Sequence, residues 1–251
     1  MAYNDIKGLR ITKNNELIVQ SKHQANGVII GMMLGDSSMN RYLVTSKKFE
    51  GMCARRRSRI QMSTSHCPKQ LDYLLWKESI IKSYIKFGKL ITDRSKQDDG
   101  FIYYKKTSLV ESSKNLVYLF ENFYALGKKR VTSKILNRLT DLGLSILFMD
   151  DGSLIPHSYR KDGSIRALKL RLHTSNFTYN EHLIMKEYFE KKSIYFNITR
   201  DKKYYCLSTG KKDSISNFVN IVSPFVNLVD CMKYKIKPFD AFVSASYPYD
   251  V

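Results

Sequence analysis

Ile29-Ile30-Gly31-Met32-Met33-Leu34-Gly35-Asp36-Ser37 and Leu144-Ser145-Ile146-Leu147-Phe148-Met149-Asp150-Asp151-Gly152 decide how this chain is read. Both are apolar, helix-like runs that end in an acidic residue, and they lie in different halves of the sequence. Gly27, Gly31 and Gly35 recur every four residues, which places them on one face of a helix. Glycine weakens a helix interior by roughly 1 kcal/mol relative to alanine, so three in register need a packing reason. Close contact with a second helix supplies it. The matching positions of the second run are Leu142, Ile146 and Asp150, so a smooth helix is expected to receive a bulkier partner.

The 251 residues carry 42 Lys and Arg against 23 Asp and Glu, a formal charge of +19. A surplus of that size points to a polyanionic partner, because each cation that neutralises a phosphate releases a condensed counterion. Nucleic acid is favoured over an acidic membrane. No stretch has the 18 or so uncharged apolar residues of a membrane span, and the polar N-terminus lacks the apolar core of a signal peptide. The expectation is a soluble intracellular protein. Cys53, Cys67, Cys206 and Cys231 are scattered without Cys-x-x-Cys spacing and read as reduced thiols rather than zinc ligands. Tyr247-Pro248-Tyr249-Asp250-Val251 match the start of a haemagglutinin epitope tag and stay outside the fold.

The same order of elements recurs after each apolar run: extended segments, an amphipathic helix, more extended segments, a final helix. In Arg55-Arg56-Arg57-Ser58-Arg59-Ile60-Gln61-Met62-Ser63-Thr64-Ser65 and in Leu168-Lys169-Leu170-Arg171-Leu172-His173-Thr174-Ser175, apolar and polar residues alternate. Period-2 alternation marks strands with one buried and one wet face. Aligned on the shared Thr-Ser, the two strands place Met62 on Leu172 and Ile60 on Leu170. Asp162-Gly163 reads as a hairpin turn. Phe101–Lys106 and Tyr195–Arg200 read as further strands, and Leu116–Leu126 and Ile215–Val222 as closing helices, with Gly127 stopping the first.

Taken together, the paired runs resemble the signature of the LAGLIDADG homing endonucleases, in the branch that carries two motifs in one chain. Leu34-Gly35-Asp36 and Phe148-Met149-Asp150-Asp151-Gly152 carry the resemblance, with a further echo in Met232-Lys233-Tyr234-Lys235-Ile236. It extends over roughly residues 24 to 240. The resemblance implies an α+β fold of two pseudo-symmetric αββαββα halves, with the motif helices packed at the centre and antiparallel sheets forming a DNA-binding saddle. The halves are expected at 1–126 and 139–246, joined by a basic connector at 127–138.

It also implies that Asp36 and Asp151 sit side by side as catalytic metal ligands near the scissile phosphates, with two or three divalent ions, Mg²⁺ by preference. Adjacent carboxylates raise one another's pKa unless a cation lies between them. Asp150 falls in the column of Gly35 rather than of Asp36, and is expected to be a solvated helix-end acid or a backbone ligand. Lys129 and Lys235 match the family's active-site basic residues, with Lys128 or Arg130 as alternatives to Lys129.

A β-ribbon fits the major groove, where Arg and Gln can bond base edges in bidentate fashion. Arg55, Arg57, Arg59, Gln61, Ser63, Lys169, Arg171 and His173 are the candidate DNA-binding residues. The function so implied is a monomeric, site-specific endonuclease, intron-encoded, that cuts both strands of a long, nearly non-palindromic duplex and leaves 3′ overhangs. An intron-splicing maturase, for which intron RNA would be the partner, or a non-cleaving DNA-binding protein of the same fold is the alternative. The Lys-, Asn-, Ile- and Tyr-rich composition suggests an organelle such as the mitochondrion.

Overall fold

The structure, a computed structural model, describes residues 7–12, 16–44, 57–94, 102–110 and 114–246. Arg55, Cys53 and the five C-terminal residues lie outside the described residues. A short antiparallel hairpin of β1 (Leu9–Ile11) and β2 (Leu17–Val19) precedes the first apolar run. That run is α1 (Lys22–Leu34), which starts where the Ser21 side chain accepts the Gln24 amide. Such a cap satisfies one of the donors that a helix start leaves open.

Two strands follow, β3 (Ser38–Val44) and β4 (Arg57–His66), then α2 (Leu71–Ile81), β5 (Ile91–Arg94), β6 (Ile102–Val110) and α3 (Lys114–Tyr124). After a four-residue helix, α4 (Ser133–Leu136), the order repeats: α5 (Asp141–Asp151), β7 (Gly152–Tyr159), β8 (Ile165–Leu172), α6 (Tyr179–Glu190), β9 (Asn197–Asp201), β10 (Tyr204–Thr209) and α7 (Lys212–Val226). A 3-10 turn (Asp230–Lys235) and α8 (Lys237–Ser246) close the described chain.

Each half forms one four-stranded antiparallel sheet with the same connectivity. The spatial order is β3-β4-β6-β5 in the first and β7-β8-β10-β9 in the second. Register shows why the faces segregate. Met39 pairs with Met62 and Leu172 with Leu207, all buried, while Asn40 pairs with Gln61, Tyr42 with Arg59 and Ser153 with Arg171. Alternate residues therefore line the core, and their neighbours line the opposite, polar face. The hairpin between β7 and β8 turns at Gly163, whose φ of 82° suits a residue without a Cβ. Gly127, with φ 75°, ends the segment after α3 in the same way.

The two apolar runs meet at the centre, where α1 and α5 are buried along nearly their whole lengths. A Cβ on Gly31 would overlap the Gly143 backbone, and one on Gly143 would overlap the Gly27 carbonyl. Gly27 itself lies against the side chain of Thr140, the N-cap of α5. The middle of the contact is thus backbone against backbone. The partner of Gly31 is Gly143 rather than one of the larger residues that the repeat spacing suggested. The bulky partner appears only at the end of the stripe, where Gly35 makes room for the Asp150 side chain.

Candidate active site between the two motif helices

Because α1 and α5 end together, Asp36 and Asp151 come to line one cleft of about 570 Å³, with Gly35, Ser37, Ser38, Lys129, His173, Ser175 and Asn176. Burial is the largest influence on both acids. It lifts Asp36 to about 6, with Asp150 adding to the rise while Lys77, Lys235 and Lys129 oppose it. Asp151 is lifted to about 7 by burial, then by Asp36 and Asp150, against the pull of Lys129 and Lys235. Asp150 raises both acids, and Asp36 raises Asp151, because like charges share a poorly solvated space.

Lys129 and Lys235 do not pair with these carboxylates directly. The Lys129 ammonium donates to the carbonyls of Gly35 and Ser37, at 3.1 and 3.0 Å, so it bridges the residues on either side of Asp36. Lys235 does the same around Asp151, donating to Asp150 O at 3.3 Å and Gly152 O at 2.9 Å, with a third bond to Phe148 O at 3.2 Å. The two lysines are therefore equivalent under the repeat. Burial pushes both ammonium groups below their usual range, and the three aspartates draw them back up. Lys128 and Arg130, the neighbours that sequence left as alternatives, are exposed.

Local structure holds the Lys129 backbone in place. The Arg130 amide donates to Phe123 O at 2.7 Å, and the Val131 amide to Glu181 Oε1 at 2.8 Å. Glu181 also completes the capping box of α6 with Thr178, so the connector is tied to the second half's helix start.

Asp150 is not the solvated helix-end acid that its position in the sequence suggested. Its side chain has no exposure, whereas Asp36 presents 39% of its side chain to solvent, so only the latter is open to a phosphate. Asp150 Oδ1 accepts from Tyr73 Oη at 2.7 Å and from Lys77 Nζ at 3.0 Å, and Oδ2 accepts the Asp36 amide at 3.3 Å. Lys77 is fully buried and lies over the Tyr73 ring, 4.5 Å from its centroid. His66 completes this group, with Nδ1 3.1 Å from Gln70 Oε1 and Nε2 3.8 Å from Asp150 Oδ1. Burial and the Lys77 charge lower its pKa to about 4, which leaves the ring neutral near pH 7.

Asp36, His66 and Asp150 bring potential ligand atoms within 4.8 Å of one another. They are nevertheless a poor metal cage. Three of the four lone-pair directions of Asp150 are already taken, and the Lys77 ammonium stands on the same Oδ1 that a cation would need. Asp36 and Asp151 are the better fit to a hard divalent cation. Their donors are carboxylate oxygens on an open cleft, burial and neighbouring negative charge hold their pKa values up, and the nearby lysines spend their hydrogen bonds on backbone carbonyls.

Two polar sheet faces flank the cleft. In the first half, Arg59, Gln61 and Ser63 stand on β4 opposite Tyr42, Asn40 and Ser38 of β3. Arg57 belongs to the same strand at the same alternation. In the second half, Lys169 pairs with Ile155, and Arg171 with Ser153 and Ser208. His173 follows at the cleft, its Nε2 3.1 Å from Ser153 Oγ. Arg171 lies 3.8 Å from Asp201 Oδ2. Sequence reading missed Asn40, Tyr42, Ser153, Asp201 and the Tyr73–Lys77–Asp150 group. For His66 a signal existed, since it continues the buried parity of Ile60, Met62 and Thr64 along β4.

Among the described residues, no helix is long and apolar enough to cross a membrane. Cys67, Cys206 and Cys231 are free thiols.

The fold is similar to that of the homing endonuclease I-WcaI bound to its DNA recognition sequence: TM-score 0.63, 20% identity, 86% of each chain covered. It is also similar to the LAGLIDADG meganuclease I-AabMI bound to uncleaved DNA, with TM-score 0.52, 12% identity, and 89% of this chain and 92% of that one covered. A curated relative, Protein RecA of Mycolicibacterium flavescens, is 30% identical over 135 residues, which are 52% of this chain and 26% of that protein. The match thus spans about a quarter of the relative's length. The model of the LAGLIDADG DNA endonuclease family matches residues 26–216, well over half of the sequence and inclusive of both acidic motifs. With two motif helices packed at the centre of two repeated sheets, the chain belongs to the LAGLIDADG DNA endonuclease family.

Proposed function

We propose that this protein is a single-chain, site-specific, Mg²⁺-dependent DNA endonuclease of the intron-homing kind that cuts both strands of a long asymmetric site and leaves 3′ overhangs. The observation that carries this reading is the duplicated constellation of one acid and one lysine. Asp36, Asp151 and Lys129 line one cleft between two polar sheet faces, and Lys235 backs Asp151 from beneath as Lys129 backs Asp36.

A divalent ion held by Asp36 and Asp151 would supply charge neutralisation at the phosphate and activation of water. The residues of the chain supply the rest. Lys129 and Lys235 fix the backbone on both sides of each acid and bring positive charge to a site that must accept phosphates. Basic and amide side chains on β4 and β8 offer donors to phosphates and base edges, and a charge of +19 favours binding to the duplex at any sequence. The halves differ in side chains at equivalent strand positions, Arg59 and Gln61 against Lys169 and Arg171, which suits a target without two-fold symmetry.

The test is selection of bound sites from randomised duplex DNA, followed by incubation of the selected duplex with the purified chain and Mg²⁺. Linear product with cuts in both strands is the expected result. Tight, selective binding without a cut would favour a non-cleaving DNA-binding protein, and stronger binding to a structured intron RNA than to any duplex would favour a maturase.

A further inference from the structure

The aspartate before Asp151 makes the two halves unequal. Where the second half has Asp150, the first has Gly35, and the absence of a side chain there admits the Asp150 carboxylate across the helix interface. Its partners beyond the interface all belong to the first half: Tyr73 and Lys77 on α2, the Asp36 amide, and His66 at the end of β4. Gly35 has no group to return to the second half. Asp151 is instead held through its own carbonyl, which accepts the His173 amide at 2.8 Å.

Every member of this group is fixed. Tyr73 Oη also donates to Ile146 O at 3.3 Å, one turn back along α5. The His66 ring packs on Tyr73 at 5.0 Å between centroids and reaches within 3.7 Å of Asp36 Oδ2. Its Nε2 is buried without a hydrogen-bond partner, so the ring is wedged between the two acids rather than bonded to either. A buried, ionic and hydrogen-bonded cluster touches both the amide and the carboxylate of Asp36.

We propose that the Asp150–Lys77–Tyr73 group, with His66 as its wedge, is a positioning device for Asp36 alone, so that the two DNA strands are cut by unequally supported sites. The inference rests on the endonuclease reading above. It concerns positioning residues, since none of the four is open to a phosphate in the way Asp36 is.

The experiment uses the full chain and its selected duplex, labelled separately on each strand, under single-turnover conditions with Mg²⁺. Tyr73→Phe removes the phenol O–H that Asp150 Oδ1 and Ile146 O share and keeps the ring. Asp150→Asn combined with Lys77→Met removes both buried charges together, so no unpaired ion is left in the core. Both variants are expected to slow the cut of the same single strand by about tenfold or more, as misplacement of a reacting group does. The other strand should change by no more than about twofold, and nicked duplex should accumulate.

Equal loss on both strands, or no loss on either, would overturn the proposal. If the wild type cuts neither strand, the endonuclease reading fails by itself, and backbone amide resonances decide the inference. The Asp36 amide must then move in both variants while that of Asp151 stays in Tyr73→Phe, where its chain neighbours are unaltered, and the reverse pattern or an equal shift in that variant rejects it.

Discussion

Gly31 meets Gly143 at the centre of the molecule with no room for a side chain on either residue. This contact brings the ends of α1 and α5 together, and with them Asp36 and Asp151. Gly31→Ala and Gly143→Ala should each cost about 1–3 kcal/mol through overpacking, read as a fall in thermal midpoint. Gly210→Ala is the control, because a Cβ there would meet only Leu168 O at 3.7 Å. Unchanged midpoints in all three variants would mean that the helices part without cost.

Lys129 and Lys235 each span the carbonyls beside one acid. Methionine keeps the length of the stem and removes the donors. Lys129→Met and Lys235→Met are each expected to lower cleavage by about 10²-fold, the scale that a displacement near 1 Å produces, while equilibrium binding to the duplex changes little. Lys128→Met, at an exposed neighbour, should cut normally. Equal rates for Lys128→Met and Lys129→Met would refute the assignment.

Asp36 and Asp151 titrate near 6 and near 7 in the metal-free fold, against an ordinary value of 3.8. Between about pH 4 and pH 7 the unfolded chain has released these protons while the fold retains them, so their contribution to stability falls as pH rises. Asp151→Asn removes its share of that loss. In EDTA the variant should therefore be more stable than the wild type at pH 8 and show no such gain at pH 4. Mg²⁺ should raise the melting temperature of the wild type more at pH 8 than at pH 5.5, because the ion competes with protons for the same oxygens. Melts that show the same difference at every pH would contradict the raised values.

Arg171 is held near Asp201 with its Nε buried and unpartnered, so it stands pre-oriented on the polar face of β8. Arg171→Ala is expected to relax base preference at one position of the site, by about 1–3 kcal/mol of discrimination. Lys169→Ala should instead weaken binding to all sequences alike and reduce the slope of log affinity against log salt by roughly one unit. Parallel site selections and salt titrations distinguish the two outcomes. The same small, sequence-independent loss in both variants would place Arg171 on the phosphates.

Much of the architecture was legible because its signals are periodic. The four-residue glycine spacing announced a close helix pair, and strict alternation in β4 and β8 separated the core face from the polar face. The shared Thr-Ser revealed the duplication, and the sheet orders β3-β4-β6-β5 and β7-β8-β10-β9 repeat it in space. The β1–β2 hairpin and α8 passed unnoticed, since neither belongs to the repeat.

The site divides in the same way. Sequence alone determined the two acids at the ends of apolar runs and a strongly basic chain, because residue type and spacing are local properties, whereas the lysines after each half were singled out only through the family resemblance. Tertiary structure alone decided that Gly143 is the partner of Gly31, that Lys129 rather than Lys128 turns inward, and that Asp150 is buried with Tyr73 and Lys77. Those facts depend on how α1, α2 and α5 rotate against one another. A carboxylate is exposed or enclosed according to what packs over it, and for Asp150 the enclosing residues lie more than seventy positions away in the chain.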